Sequence, residues 1–172
     1  IRRRSAILWH WALSATGVIL SAYIGLQINN SLYLGIANLS CVVLLWVYST
    51  MLKKRLLIGN VVIAVLTAWV VMILYFIESG RHLFIYDDSA QLSTFSRIFK
   101  FSVLYGGFAF IITLIREVVK DMEDIKGDSQ FGCVTLPILY GIRTAKIFVL
   151  TWLVVMIAGI VVLQVYLIPF RW

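Results

Sequence analysis

Apolar positions in this chain gather into five runs, at about residues 7–26, 32–52, 56–77, 98–117 and 147–168, separated by polar breaks. A helix that crosses a bilayer needs roughly 20 predominantly apolar residues, and each run has about that length. None of them alternates with the period of two that a half-buried strand requires, so all five are expected to be helices. The breaks are short on one pattern and long on another. Gln27, Asn29 and Asn30 end the first run, Lys53, Lys54 and Arg55 end the second, and Glu78, Ser79, Gly80 and Arg81 end the third. A polar stretch holding Asp87 and Asp88 precedes the fourth run, which carries Gly106 and Gly107 at its middle, where small residues permit close helix contact. Residues 116–146 are expected to be the longest polar connection, and Trp152 and Trp172 lie near the two ends of the fifth run. The expected architecture is all-α: a polytopic transmembrane bundle forming one domain over 1–172.

Composition excludes most water-facing alternatives. The 172 residues are 62% apolar and 13% charged, whereas a soluble domain is about half apolar and a quarter charged. The net charge of +7 raises nucleic acid as a partner, but Lys and Arg scattered between lipid-soluble runs are better explained by membrane orientation. Eleven of the fifteen cations (Arg2, Arg3, Arg4, Lys53, Lys54, Arg55, Arg116, Lys120, Lys126, Arg143 and Lys146) fall on one side of the expected topology, and four (Arg81, Arg97, Lys100 and Arg171) on the other. Cytoplasmic loops collect Lys and Arg. The amino end, the 53–55 turn and the 116–146 segment are therefore expected to face the cytoplasm, and Asp87 and Asp88 to face away. Cys41 and Cys133 match neither a disulfide framework nor a metal spacing. The chain starts at Ile1 rather than Met, shows no signal peptide, and has an odd number of runs, which together suggest a fragment.

The chemistry concentrates in Arg116-Glu117-Val118-Val119-Lys120-Asp121-Met122-Glu123-Asp124-Ile125-Lys126-Gly127-Asp128. At about 100° per residue, Glu117, Asp121, Asp124 and Asp128 fall within a sector of roughly 60° on a helix, while Glu123 and Lys126 point elsewhere. Like charges so spaced repel by about 0.2–0.5 kcal/mol per exposed pair. A hard divalent cation would relieve that repulsion, and Mg²⁺ takes one or two carboxylates together with phosphate oxygens and water. The ligand order of a calcium loop is absent, and zinc lacks Cys and His partners. The plainer reading is a solvated helix end.

On the same expected side stands Tyr48-Ser49-Thr50-Met51-Leu52-Lys53-Lys54-Arg55. Its cations suit phosphate oxygens, with Arg able to bind them in bidentate fashion, and the negative face of a Tyr ring favours a passing carbocation. Orientation and interfacial aromatic belts explain the same residues without chemistry. His10, between Trp9 and Trp11, reads as an interfacial histidine, and Asn29-Asn30-Ser31 as a weak glycosylation match.

Taken together, these motifs resemble the UbiA-type intramembrane prenyltransferases. The second aspartate-rich motif of that family runs roughly K-D-I-x-D-x-x-G-D, then G, then T-L-P; here stand Lys120 to Asp128, then Gly132, then Thr135-Leu136-Pro137 with Gly141 beyond. The tyrosine-basic turn followed by Gly59-Asn60 is similar as well. The resemblance implies a nine-helix fold of which these five runs are the third to seventh, with a first motif of N-D-x-x-D-x-x-x-D type that this chain lacks. It implies a chain inactive alone, holding half of a metal site. It further implies Mg²⁺ on Asp121, Asp124 and Asp128, and a prenyl diphosphate donor bound by Lys53, Lys54, Arg55, Arg116 and Lys120. Tyr48 and Lys53 are its implied catalytic groups. The acceptor it implies is a lipid or an aromatic compound, with E-D-I-x-G-D and T-L-P-I leaning to geranylgeranylglyceryl phosphate and a quinone precursor as the alternative.

Outside that family, a transporter or assembly subunit would also use an acidic stripe. Transport favours ionisable groups or broken helices at mid-membrane, and here the charge gathers at the edge. A phosphatidyl-alcohol transferase would carry D-G-x-x-A-R, which is not present in the sequence.

Overall fold

The computed structural model describes residues 3–29, 32–82 and 89–167, so Asp87, Asp88 and the Asn30-Ser31 pair lie outside the described residues. Among the described residues six helices follow in order: α1 (Arg3–Asn29), α2 (Tyr33–Thr50), α3 (Ile58–His82), α4 (Ser89–Glu123), α5 (Ile125–Gln130) and α6 (Leu136–Leu167), with a 3₁₀ turn at Leu52–Lys54 between α2 and α3. Among the described residues there is no strand. Five of the helices contain segments long and apolar enough to cross a membrane: Ile7–Gln27, Tyr33–Thr50, Ile58–Ile77, Ser96–Glu123 and Leu136–Val165. The helical membrane architecture expected from the hydrophobic runs is thus present.

Several helix boundaries run past expectation, α3 continuing to His82 and α4 to Glu123, and two differences are larger. The fourth helix reaches back to Ser89, and the last begins at Leu136 rather than near 147. The expected long connection over 116–146 is therefore mostly helical, because Val118, Val119, Met122, Leu136, Pro137 and Ile138 interleave with its charges and give them an apolar side to pack. Arg143 and Lys146 consequently sit inside α6, and both are exposed.

Lipid as the solvent accounts for what the helices leave outside. Trp9, Trp11, Val70, Val154 and Val162 are all more than three-fifths exposed, a surface that water would penalise at about 25 cal/mol per Å² of apolar area. Hydroxyls within these helices bond to their own backbone instead of seeking water: Thr16, Ser40, Thr67, Thr144 and Thr151 each donate to the carbonyl four residues earlier at 2.8–3.0 Å.

The chain divides into two compact units. In the first, comprising Ile1–Val47 and Val70–Val103, α1 and α2 approach so closely that a Cβ on Gly35 would lie 2.9 Å from that of Ala22. Leu34 beside it is 1% exposed. The Tyr33 hydroxyl donates to the Phe76 carbonyl at 3.0 Å, and the Tyr75 and Phe99 rings meet at 5.0 Å between centroids, tilted by 58°.

The second unit, Tyr48–Trp69 and Leu104–Trp172, holds all the candidate chemistry. Its core is Val118, Leu136 and Ala145, packed against Leu56, Leu57, Met122, Phe148 and Val149. Trp152 meets Phe110 and Phe148 at 6.4 and 6.3 Å. α6 is interrupted by Gly141 at φ 83°, ψ 161°, a conformation open essentially to glycine alone, so a single turn from Leu136 precedes the long apolar segment.

Candidate functional site

The acidic stripe is built on two helices rather than one. Asp124, between α4 and α5, adopts φ −91°, ψ 6°. The hydrogen-bond ladder nevertheless runs through the bend: Asp124 N–H donates to the Lys120 carbonyl and Asp128 N–H to the Asp124 carbonyl, both at 2.9 Å. Across the bend, Asp121 lies within electrostatic reach of Asp128, Glu117 and Lys120. Asp124 itself is exposed at the bend, whereas Asp121 and Asp128 are half-buried.

Past Asp128 the chain stops abruptly. Gly132 takes φ 67°, its N–H donating to the Ser129 carbonyl at 3.3 Å while Cys133 N–H donates to that of Asp128 at 3.0 Å. These two bonds are the Schellman closure, which satisfies the last carbonyls of a helix by way of one left-handed residue. The glycine after the acidic motif thus has a backbone reason. It turns the chain so that Val134 N–H donates to the Lys54 carbonyl at 3.0 Å, stitching the segment after the stripe to the basic turn.

That basic turn is itself held under strain. Leu57 sits at φ 50°, a left-handed conformation that costs an L-residue about 1–2 kcal/mol, and its side chain packs on the Val118, Leu136 and Ala145 core. Its carbonyl accepts the first bond of α3 from Val61 N–H at 2.9 Å. The sharp reversal puts Gly59 and Asn60 in the first turn of α3. A Cβ on Gly59 would come within 2.8 Å of the Leu52 carbonyl oxygen and 3.1 Å of the Tyr48 ring, so only glycine lets that ring and that carbonyl lie where they do. Asn60, 8% exposed, donates from Nδ2 to Asp121 Oδ2 at 2.8 Å. Tyr48, half-buried, is within electrostatic reach of Glu117, Asp121 and Asp128.

Tyr48, the Lys53 to Arg55 turn and the stripe accordingly share one end of the second unit. Lys53, Lys54 and Arg55 all stand exposed. Arg116 and Lys120 are engaged differently. The carboxylate of Glu117, 8% exposed, takes Arg116 Nη1 at 3.2 Å and Lys120 Nζ at 3.9 Å, while the two cations themselves remain at least half exposed. Glu117 and Asn60 are the residues that motif reading left without a role. Their signals were present: an acid opening the stripe with cations one residue before and three after, and an amide inside an apolar run.

The donor set suits a hard divalent cation, since it consists of carboxylate oxygens and Oδ1 of Asp121 is not the oxygen that Asn60 engages. Among the described residues no three Asp, Glu, His or Cys side chains form a ready-made metal cage. Mg²⁺ does not require one, because it binds through one or two carboxylates with phosphate oxygens and water completing its shell.

A profile of the UbiA prenyltransferase family matches residues 1–172. The chain is 32% identical over 145 residues to a digeranylgeranylglyceryl phosphate synthase of Methanosphaera stadtmanae, covering 84% of this chain and 44% of that protein. A protein of the same name from Methanothrix thermoacetophila is 33% identical over 169 residues, covering 98% and 52%, and one from Methanothermobacter thermautotrophicus is 34% identical over 121 residues, covering 70% and 37%. The chain spans about half or less of the length of these relatives. No solved structure matches it significantly.

Proposed function

The chain belongs to the UbiA prenyltransferase family, and from that premise we propose that it forms part of an Mg²⁺-dependent intramembrane prenyltransferase moving an isoprenyl group from a prenyl diphosphate to a lipid or aromatic acceptor. The observation that carries this reading is the convergence, at one end of one compact unit, of Asp121 and Asp128 with Tyr48 and the turn of three cations. Similar proteins named digeranylgeranylglyceryl phosphate synthase support geranylgeranylglyceryl phosphate as the acceptor.

In the proposed reaction the bond between the prenyl carbon and the diphosphate oxygen breaks, the diphosphate leaves with the electron pair, and an acceptor hydroxyl bonds to the carbon and loses its proton. Asp121, Asp124 and Asp128 are the proposed ligands of the metal or of its bound waters. Bound there, Mg²⁺ supplies Lewis-acid stabilisation of charge developing on the leaving diphosphate. Lys53, Lys54 and Arg55 contribute as anion ligands, Arg55 being suited to two parallel bonds; Arg116 and Lys120 extend that set, with Glu117 holding them in register. Lys53 is proposed as the main basic contact of the diphosphate, and Tyr48 as the group that either stabilises the allylic cation through the negative face of its ring or orients the acceptor. Apolar helices keep water from quenching that cation. The cation-rich side, and with it the site and the amino end of this chain, is proposed to be cytoplasmic.

The test is incubation of the full-length protein with labelled geranylgeranyl diphosphate, Mg²⁺ and a panel of lipid and aromatic acceptors, followed by product mass spectrometry. A prenyl ether of the glyceryl phosphate is expected. An aromatic product would transfer the assignment to quinone-precursor prenylation, and absence of any prenylated product would overturn the enzymatic reading.

A further inference from the structure

We propose that Asn60 is a positioning residue that sets the metal affinity of Asp121, an inference that rests on the reading of Asp121 as an Mg²⁺ ligand. Asn60 is an amide within an apolar run and is 8% exposed. A polar group so placed is costly unless it is bonded, and its bond goes to Asp121 Oδ2, at 2.8 Å. Three features of that arrangement point beyond helix packing.

The donor is neutral. A carboxylate oriented by an amide keeps its whole negative charge for a cation, whereas one oriented by Lys or Arg is already neutralised. Glu117, four residues earlier on the same stripe, shows the contrast: Arg116 and Lys120 stand at 3.2 and 3.9 Å from its oxygens. Lys120 is also the cation within electrostatic reach of Asp121, but it is Glu117 that it pairs with. The stripe is thereby divided into a carboxylate paired directly with protein cations, Glu117, and one held by a neutral amide, Asp121, on which Lys120 acts only at a distance.

The bond also engages one oxygen only. With Oδ2 held from α3, rotation of the carboxylate is restricted and Oδ1 is fixed in direction. Partners that orient a ligating group in this way are typically worth about 10–100-fold in metal affinity or activity. The backbone, finally, over-determines the placement of Asn60. Leu57 in its left-handed conformation and Gly59 against the Leu52 carbonyl bring the first turn of α3 to this position, at a conformational cost that a mere surface turn would avoid.

The test uses the full-length protein and the binding of Mn²⁺ in the presence of inorganic diphosphate, followed by electron paramagnetic resonance, so that no turnover is needed. Asn60→Leu, close in size but without a donor, is expected to raise the half-saturating Mn²⁺ concentration about 10–100-fold while the helical circular dichroism is retained. Asn60→His, which keeps an N–H of similar reach, is expected to recover most of that loss. Should Asn60→Leu fail to fold, Asn60→Ser, whose shorter side chain falls short of Oδ2, carries the same expectation. Unchanged half-saturation in the folded donor-less variant would overturn the inference and leave Asn60 as a helix-packing contact. Asp121→Asn in the same titration separates the two levels: if it leaves Mn²⁺ binding intact, the metal-ligand reading falls, whereas a lost response beside a wild-type-like Asn60→Leu removes only the role of Asn60.

Discussion

Gly59 has no side chain, yet the position of the Tyr48 ring depends on it. An added Cβ would stand 2.8 Å from the Leu52 carbonyl oxygen, which is backbone and cannot swing aside, and 3.1 Å from the ring. Gly59→Ala is therefore expected to destabilise the protein by about 1–3 kcal/mol through overpacking and to displace Tyr48 or the basic turn. If Tyr48 and Lys53 act as proposed, kcat/KM for prenyl transfer falls with it, by up to about 100-fold for a displacement near 1 Å; thermal melting in detergent and steady-state kinetics measure the two effects separately. A variant with lowered melting temperature and unaltered kcat/KM would remove Tyr48 and the turn from the chemistry. At this scale the sequence showed which residues carry charge. It did not show that Asn60 reaches Asp121 across sixty-one positions, because a pairing between helices leaves no local spacing to read.

The elements were partly legible. Runs of apolar residues specified five helices because every backbone N–H and C=O in lipid must be satisfied within its own segment. What periodicity missed was the structure of the segment after α4, where Gly132 and Gly141 replace regular helix by left-handed or extended positive-φ backbone at 67° and 83°. Nothing lies within 4 Å of a Cβ placed on either glycine, so substitution there tests conformation without steric contact. Gly141→Ala is expected to cost about 1–3 kcal/mol and Gly132→Ala about 1–2 kcal/mol, with Gly132→Asn milder because Asn tolerates the left-handed region. Chemical denaturation in mixed micelles would read both. Equal stability of Gly141→Ala and the wild type would show that α6 runs on as a continuous helix through this position. The charged segment is helical to Glu123, as the spacing of its carboxylates assumed, and its apolar residue Val118 is buried in the core of the second unit.

For the whole molecule, the uneven distribution of Lys and Arg supplies a directional expectation. The proposed cytoplasmic side holds Lys53 to Arg55 and the stripe. Single-cysteine variants of the full-length protein at the exposed positions Lys53 and Lys126, in a background with Cys41 and Cys133 replaced by Ala, are expected to react with a membrane-impermeant maleimide in inside-out vesicles and to be protected in right-side-out ones. The reverse pattern would invert the topology and place the proposed chemistry outside. Cys41 and Cys133 are both unpaired thiols, so their replacement removes no crosslink.

Composition and apolar run length by themselves determined that this is a helical membrane protein, since no water-facing fold can cover 62% apolar residues, and the order of motifs was sufficient to indicate its family. Spacing at the helical period suggested one face for the carboxylates, whereas the structure divides them between α4, the bend at Asp124 and α5 and, among the described residues, gathers no three of them into a metal cage. Only the tertiary structure decided which partners those carboxylates have. Asn60 arrives at Asp121, and the Val134 amide at the Lys54 carbonyl, through a strained reversal at Leu57 and a Schellman turn at Gly132. The physical reason is that these contacts join segments distant in the chain, so they depend on how helices pack and turn rather than on any pattern within one of them.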